Sequence, residues 1–228
     1  GQRVLEIGCG FGSRCFEVAG HGAEHVLGID TNLYHVESAS SRRDRDFPQL
    51  AGVLEFRHGP IEDLPDGGFD VIISENALEH IMNVDVVLEQ IRRKLSAAGK
   101  AYIAFGPLYH SPYGDHGWLR AALPFSERFS WPWGHLLVPE RVLFERLHRL
   151  KGVPLYHQTR DWAYMDLNKL TIQDYERLIA QSGLAIRYFD TNVAYSRVGK
   201  AVRIASRLAP FLRKYLTFNV SAILGLRN

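Results

Sequence analysis

The chain has 228 residues, 46% of them hydrophobic, and a formal net charge of +2. That length accommodates one α/β domain with a decoration, or one large and one small domain, and a balance so near neutral argues against a nucleic-acid-binding surface. No apolar run reaches the roughly 18 residues that cross a bilayer and no signal peptide is visible. The two cysteines, Cys9 and Cys15, flank one turn and make no disulfide framework, which points to a reducing, cytoplasmic setting.

Strand one is read at Arg3-Val-Leu-Glu-Ile7, a short apolar run suited to a strand buried on both faces of a parallel sheet. Gly8, Gly10 and Gly12 follow at alternate positions and permit a sharp, side-chain-free turn. A helix is expected from Ser13 to the glycines at 20 and 22. A strand, a glycine turn and a helix N-terminus aim backbone N–H groups at one point, which suits an anionic ligand group. The dinucleotide pattern Gly-x-Gly-x-x-Gly fails here, because its last position is Ser13. Strand two is read at His25-Val-Leu-Gly-Ile-Asp30, ending in an acid about 20 residues past the glycines. Asp30 can grip ribose hydroxyls there, or it can cap the next helix.

Glu6-x-Gly8-x-Gly10-x-Gly12, with its matching second strand, resembles motif I of the class I S-adenosylmethionine-dependent methyltransferases, in particular the small-molecule ubiquinone/menaquinone type. The resemblance implies a turn that wraps the methionine part of the cofactor through Glu6, Gly8, Cys9, Gly10 and Gly12. Asp30, with Thr31 and Asn32 beside it, would hold the ribose. It also implies one or two helices ahead of strand one, so Gly1 reads as the start of a domain fragment.

After Asp30 a polar helix is expected over about 33–46, then strand three at Val53-Leu-Glu-Phe-Arg57. Where the family often has an acid for the adenine amino group this chain has Pro60, so adenine recognition falls to the Ile61 backbone and side chain and to Glu62. Strand four is read at Phe69–Glu75, and Asn76-Ala-Leu-Glu-His80 resembles the family's segment after that strand. Ser74 and Glu75 are candidates for the methionine amino group, and His80 stands at the floor between cofactor and acceptor. A helix over 84–95, closed by Ala98-Gly99, and a strand five at 100–105 complete a βαβ series.

The expected fold is a doubly wound, Rossmann-like α/β sheet of seven strands, mostly parallel with an antiparallel last strand, and a lid inserted after strand five. Residues 1–106 and 169–228 form the cofactor-binding core and residues 107–168 the lid. The inserted stretch is too long for a simple connection and is rich in aromatic residues, histidine and proline, with one helix expected at 139–150. Tyr109, Tyr113, Asp115, Trp118 and His135 are its acceptor-binding candidates, since aromatic bodies give apolar walls and their polar tips give contacts. A capped helix from Thr171, strand six at 184–190, a basic amphipathic helix at 198–215 and strand seven at 217–225 close the chain.

The expected function is methylation of a small molecule, most readily at a hydroxyl, with S-adenosylmethionine as cofactor and S-adenosylhomocysteine as product. Deprotonating a hydroxyl near neutral pH suits histidine, and His110 and His116 come first, with His80 behind them. N- or C-methylation without a base, and a non-catalytic adenosylmethionine-binding module, are the competing readings. A divalent ion held by Glu79, His80, Asp115 and His116 is a less favoured addition, because the family's Glu-x-x-Glu-His is here Asn76-x-x-Glu79-His80. No nucleic-acid partner is expected and a homodimer is possible; the basic helix at 198–215 reads first as a solvated face, and otherwise as a contact for a membrane surface or an anionic partner.

Overall fold

The computed structural model describes residues 1–117, 131–139, 167–192 and 208–227, together with residues 141, 142, 145, 149, 202, 204 and 205. Trp118 and most of the expected helix at 139–150 lie outside the described residues, as does much of the inserted stretch.

Seven strands form a single sheet: β1 (Arg3–Ile7), β2 (His25–Asp30), β3 (Leu54–His58), β4 (Phe69–Glu75), β5 (Leu95–Phe105), β6 (Leu184–Thr191) and β7 (Val220–Leu226). Their order is β3-β2-β1-β4-β5-β7-β6. The first five pair in parallel, and β7 lies between β5 and β6, antiparallel to both. The chain therefore turns outward in both directions from the β1–β4 boundary, and ligands of such sheets sit beyond the carboxyl ends at that switch point.

Helices α1 (Ser13–Gly20) and α2 (Leu33–Asp46) lie on one face, while α3 (Val84–Lys94) and α4 (Ile172–Gln181) lie on the other. Alternation along the strands divides the core between them. Leu5, Ile72 and Ile103 join the α3/α4 layer, and Val4, Val26 and Ile73 join the α1/α2 layer. Leu5, Ile72 and Ile103 are fully buried, each stabilising the fold by about 2 kcal/mol through lost apolar exposure.

Local chemistry fixes the helix ends. Asn32 caps α2 by accepting from the Tyr34 N–H at 3.0 Å. Thr171 and Asp174 form a reciprocal capping box on α4. The basic last turn of α3 reaches Asp66 through Arg93 and Lys94. Strand β5 differs from its expected bounds: α3 stops at Lys94, and the strand begins at Leu95 instead of Lys100. Leu95 pairs with Phe69, and the register then shifts before Lys100 pairs with Val71. A bulge thus absorbs the Ser96–Gly99 segment that looks like a helix stop.

Candidate active site

Parallel pairing of Ile7 with Ile29 brings the ends of β1 and β2 level. Immediately beyond, the Gly8 and Cys9 N–H groups both donate to the Ile29 carbonyl, at 2.9 and 3.0 Å. The turn runs through Gly8, Gly10 and Gly12 at φ of +71°, +51° and +76°, a region in which side chains cost roughly 1–2 kcal/mol each. Gly8 also has no room: a Cβ there would stand 2.7 Å from the Ala77 Cβ. Gly10 is different, for among the described residues nothing lies within 4 Å of the place its Cβ would occupy. The turn is tight beneath and open above, a cradle that a ligand can enter.

Asp30 faces this cradle from the end of β2. Its Oδ2 accepts from the Gly10 N–H and its Oδ1 from the Asn32 N–H, both at 2.8 Å. The helix cap is Asn32, not Asp30, so the capping reading of Asp30 is set aside and the Asn32 side chain is committed to α2. The carboxylate is oriented by two backbone donors and keeps acceptor capacity for two vicinal hydroxyls. These features fit adenosylmethionine: a bare turn for its amino-acid part and a fixed acid for its ribose.

The remaining cofactor candidates divide. Thr31 presents its carbonyl to His58 Nε2 at 3.1 Å. Ile61 is buried in the α3/α4 core, so its side chain is already occupied, while Glu62 on the same short turn is exposed. The Ser74 hydroxyl is buried and donates to the Ile7 carbonyl at 3.3 Å. Glu75 is not isolated. Arg14, in the first turn of α1, grips both of its oxygens at 2.8–3.1 Å and also contacts Glu17. Arg14 had no signal in the sequence, because its partner lies 61 positions along the chain.

Beneath that pair sits Glu6, buried, with the Cys15 thiol donating to its Oε2 at 2.8 Å. Desolvation, reinforced by the Glu75 charge, raises the Glu6 carboxyl to about 7. The Cys15 thiol is likewise pushed up, by its hydrogen bond with Cys9 and by burial. Both cysteines are buried and reduced, packed under the turn.

On the acceptor side, Ala77 abuts Gly8 and leads directly into the turn Leu78–His80. Asn168 braces that turn, its Nδ2 donating to the carbonyls of Leu78 and Ile81 at 2.7 Å, with the Tyr175 hydroxyl donating to its Oδ1 at 3.0 Å. Glu79 Oε1 accepts from the Gly106 N–H at 2.9 Å, which ties the turn to the segment after β5. Among the described residues, Glu79 Oε2 is buried without a hydrogen-bond partner, and burial holds this carboxyl above its ordinary range.

His80 meets His116 edge to face, with ring centroids 5.1 Å apart. His116 Nε2 lies 3.0 Å from the Pro107 carbonyl. A carbonyl only accepts, so Nε2 carries the proton and Nδ1 carries the lone pair. Burial lowers the His116 pKa. Among the described residues, Glu79, His80 and His116 form a group whose ligand atoms lie within 4.8 Å of one another. The expected fourth member, Asp115, is outside that group, buried with an oxygen 3.9 Å from His135 Nδ1.

His110 has other surroundings. Its Nε2 meets the Lys169 carbonyl at 3.2 Å and its ring meets Tyr215, and its pKa is lowered chiefly by burial, with a contribution from Lys214. The structure thus pairs His116 with His80 and places His110 beside the start of α4. His135 is buried and bonded to the Tyr109 carbonyl at 2.7 Å, and Tyr109 is buried against it. Both serve as struts of the segment in this conformation, whereas Tyr113 is exposed.

A seven-stranded sheet in this order, with a glycine turn after β1 and an acid ending β2, defines the class I methyltransferase architecture. Residues 1–106, just under half of the chain, match the family model described as a methyltransferase domain. Over 106 residues the chain is 31% identical to a ubiquinone biosynthesis O-methyltransferase of Mesorhizobium japonicum, covering 46% of this chain and 41% of that one. A sterol 24-C-methyltransferase of Neurospora crassa is 31% identical over 100 residues, covering 43% and 26%. The chain therefore spans well under half the length of these relatives. An S-adenosylmethionine-dependent methyltransferase from Mesorhizobium loti superposes with a TM-score of 0.61 at 22% identity, over 98% of this chain and 90% of that one. The geranyl diphosphate C-methyltransferase of Streptomyces coelicolor gives a TM-score of 0.61 at 12% identity, over 100% and 73%. Both likenesses support the fold.

Proposed function

We propose that the chain methylates a hydroxyl of a small, largely apolar molecule, with His116 as the general base and His80 beside it. The observation that carries this reading is the His80–His116 contact, in which His80 comes from the turn that follows Ala77, the residue against Gly8, and His116 from the segment after β5. Relatives named for ubiquinone and sterol support an acceptor of lipid-like character. The near-neutral net charge supports a small-molecule partner over nucleic acid.

When bound, adenosylmethionine supplies a methyl carbon activated by its sulfonium. The glycine turn and Asp30 would hold the cofactor, and the Leu78–His80 turn, braced by Asn168, would form the acceptor floor. Alignment of donor and acceptor is the larger share of such catalysis. His116 accepts the hydroxyl proton at Nδ1, with Pro107 holding the ring in the required tautomer. His116→Asn should lower kcat by about 100-fold, the usual contribution of a positioned base, while adenosylhomocysteine affinity measured by calorimetry stays the same. Unchanged turnover on a panel of phenols and other hydroxyl acceptors would remove the base from the reaction.

One observation favours a second reading of the same place. The buried, unpartnered Glu79 Oε2 together with His80 and His116 offers an O/N ligand set that suits a divalent ion. Such an ion would supply Lewis-acid polarisation of the acceptor oxygen. Activity abolished by chelation and restored by one divalent metal would select this reading, and activity indifferent to chelation would select His116 as the base.

A further inference from the structure

The proposed ribose acid has a neighbour that the methyl-transfer reading leaves unused. Asn32 caps α2, and the first turn of that helix brings its third residue, His35, to Asp30. His35 Nδ1 lies 3.5 Å from Asp30 Oδ1. That nitrogen is buried and, among the described residues, has no hydrogen-bond partner. The imidazole also meets the Phe11 ring, with centroids 4.7 Å apart, and Phe11 stands between Gly10 and Gly12 within the glycine turn. His35 thus touches both the turn and the acid.

Electrostatics fixes what the imidazole does there. A lone pair facing a carboxylate is repelled and an N–H is attracted, so the proton belongs on Nδ1. The distance is long for a closed hydrogen bond, which leaves a directed attraction between the N–H dipole and the carboxylate charge. Asp30 is sheltered, its side chain only 13% exposed, and such attractions are stronger where water is scarce. The Gly10 and Asn32 N–H groups already engage one carboxylate oxygen each, so an Nδ1–H is a third group resisting rotation of the carboxylate. Nearby polar side chains are committed elsewhere, Asn32 to the Tyr34 N–H and His58 to the Thr31 carbonyl.

We propose that His35 is a positioning residue of the cofactor site: its imidazole, packed on Phe11, holds the Asp30 carboxylate in the orientation that grips a ribose diol. Ribose recognition then runs through a His35–Asp30 pair, and α2 serves the site through a side chain as well as through its cap. The inference rests on the reading of Asp30 as the ribose acid. It does not depend on the acceptor or on which atom is methylated.

Calorimetric titration of the full chain with adenosylhomocysteine tests it through a double-mutant cycle. His35→Leu keeps apolar contact with Phe11 and removes the N–H, so affinity should fall about tenfold. His35→Asn keeps an N–H near the place of Nδ1 and gives up the ring, and should bind nearly as tightly as the parent. A role in packing alone predicts the reverse order. In an Asp30→Ala background His35→Leu should cost nothing further, because residues that act through one another are not additive. Parent-like binding by His35→Leu, a loss in His35→Asn as large as that in His35→Leu, or a tenfold loss that persists without Asp30 would overturn the inference and leave Asp30 in its role. Unchanged affinity in Asp30→Ala itself would overturn the ribose reading, and the inference with it.

Discussion

The proposed cofactor side and the proposed acceptor side of this molecule are built by different means. On the cofactor side the working groups are backbone positions and strand ends: three glycines in a left-handed turn, and one aspartate two N–H bonds deep. Sheet register places them, and they fall within the 106 residues that match the methyltransferase-domain family. On the acceptor side the groups are side chains from separate stretches, with His80, His116, Asn168 and Tyr175 meeting through tertiary packing. Backbone geometry constrains a sequence tightly, whereas a pocket of side chains can be rebuilt while the scaffold persists. One fold can thus keep its cofactor and change its acceptor.

The comparison breaks most visibly at Gly10. Leucine there would fill the open cradle and adopt a left-handed conformation, so adenosylhomocysteine affinity should fall by more than about 100-fold. Circular dichroism should be little changed, because among the described residues no atom lies within 4 Å of a Cβ placed there. A variant that binds as tightly as the parent would place the cofactor elsewhere. Asp30→Ala comes next. It removes the ribose acceptor and the tie to Gly10, and two charge-assisted hydrogen bonds together correspond to about 100-fold in affinity, read by the same titration.

His116 sharpens the comparison from the acceptor side. Burial depresses its pKa, and a base must be deprotonated to act, so the acid limb of the kcat profile should lie below the ordinary histidine value. His116→Asn should remove that limb together with most of the rate. Substituting His110, which sits beside Lys169 and Tyr215, should leave the limb in place. A limb that moves with His110 instead would reverse the assignment.

Legibility follows the same division. The succession of strands, the glycine turn and the position of Asp30 at the end of β2 could be read because hydrophobic runs and glycines report backbone requirements locally. The start of β5 could not, because Ser96-Ala-Ala-Gly99 carries turn chemistry and only pairing of Leu95 with Phe69 makes it strand. His110 and His116 looked equivalent by composition, and what distinguishes them is which distant residues each one meets. The bracing role of Asn168 was equally invisible, since its three backbone and side-chain partners lie up to 90 positions away.

The last effect is on stability and leaves binding and rate aside; it concerns Glu6, buried beneath the glycine turn. Its carboxyl titrates at about 7 when folded, against 4.5 for the ordinary group. A raised acid contributes stability that is complete below the unfolded value and is lost as pH rises through the folded one. Ionising Glu6 should therefore cost up to about 3 kcal/mol by pH 8, and Glu6→Gln, which still accepts from Cys15, should escape that cost. Thermal unfolding of the two proteins should coincide near pH 4 and diverge between pH 4.5 and 8, with the variant the more stable. Curves that stay parallel across that range would show that Glu6 keeps an ordinary pKa, with the Arg14–Glu75 pair or solvent compensating its charge.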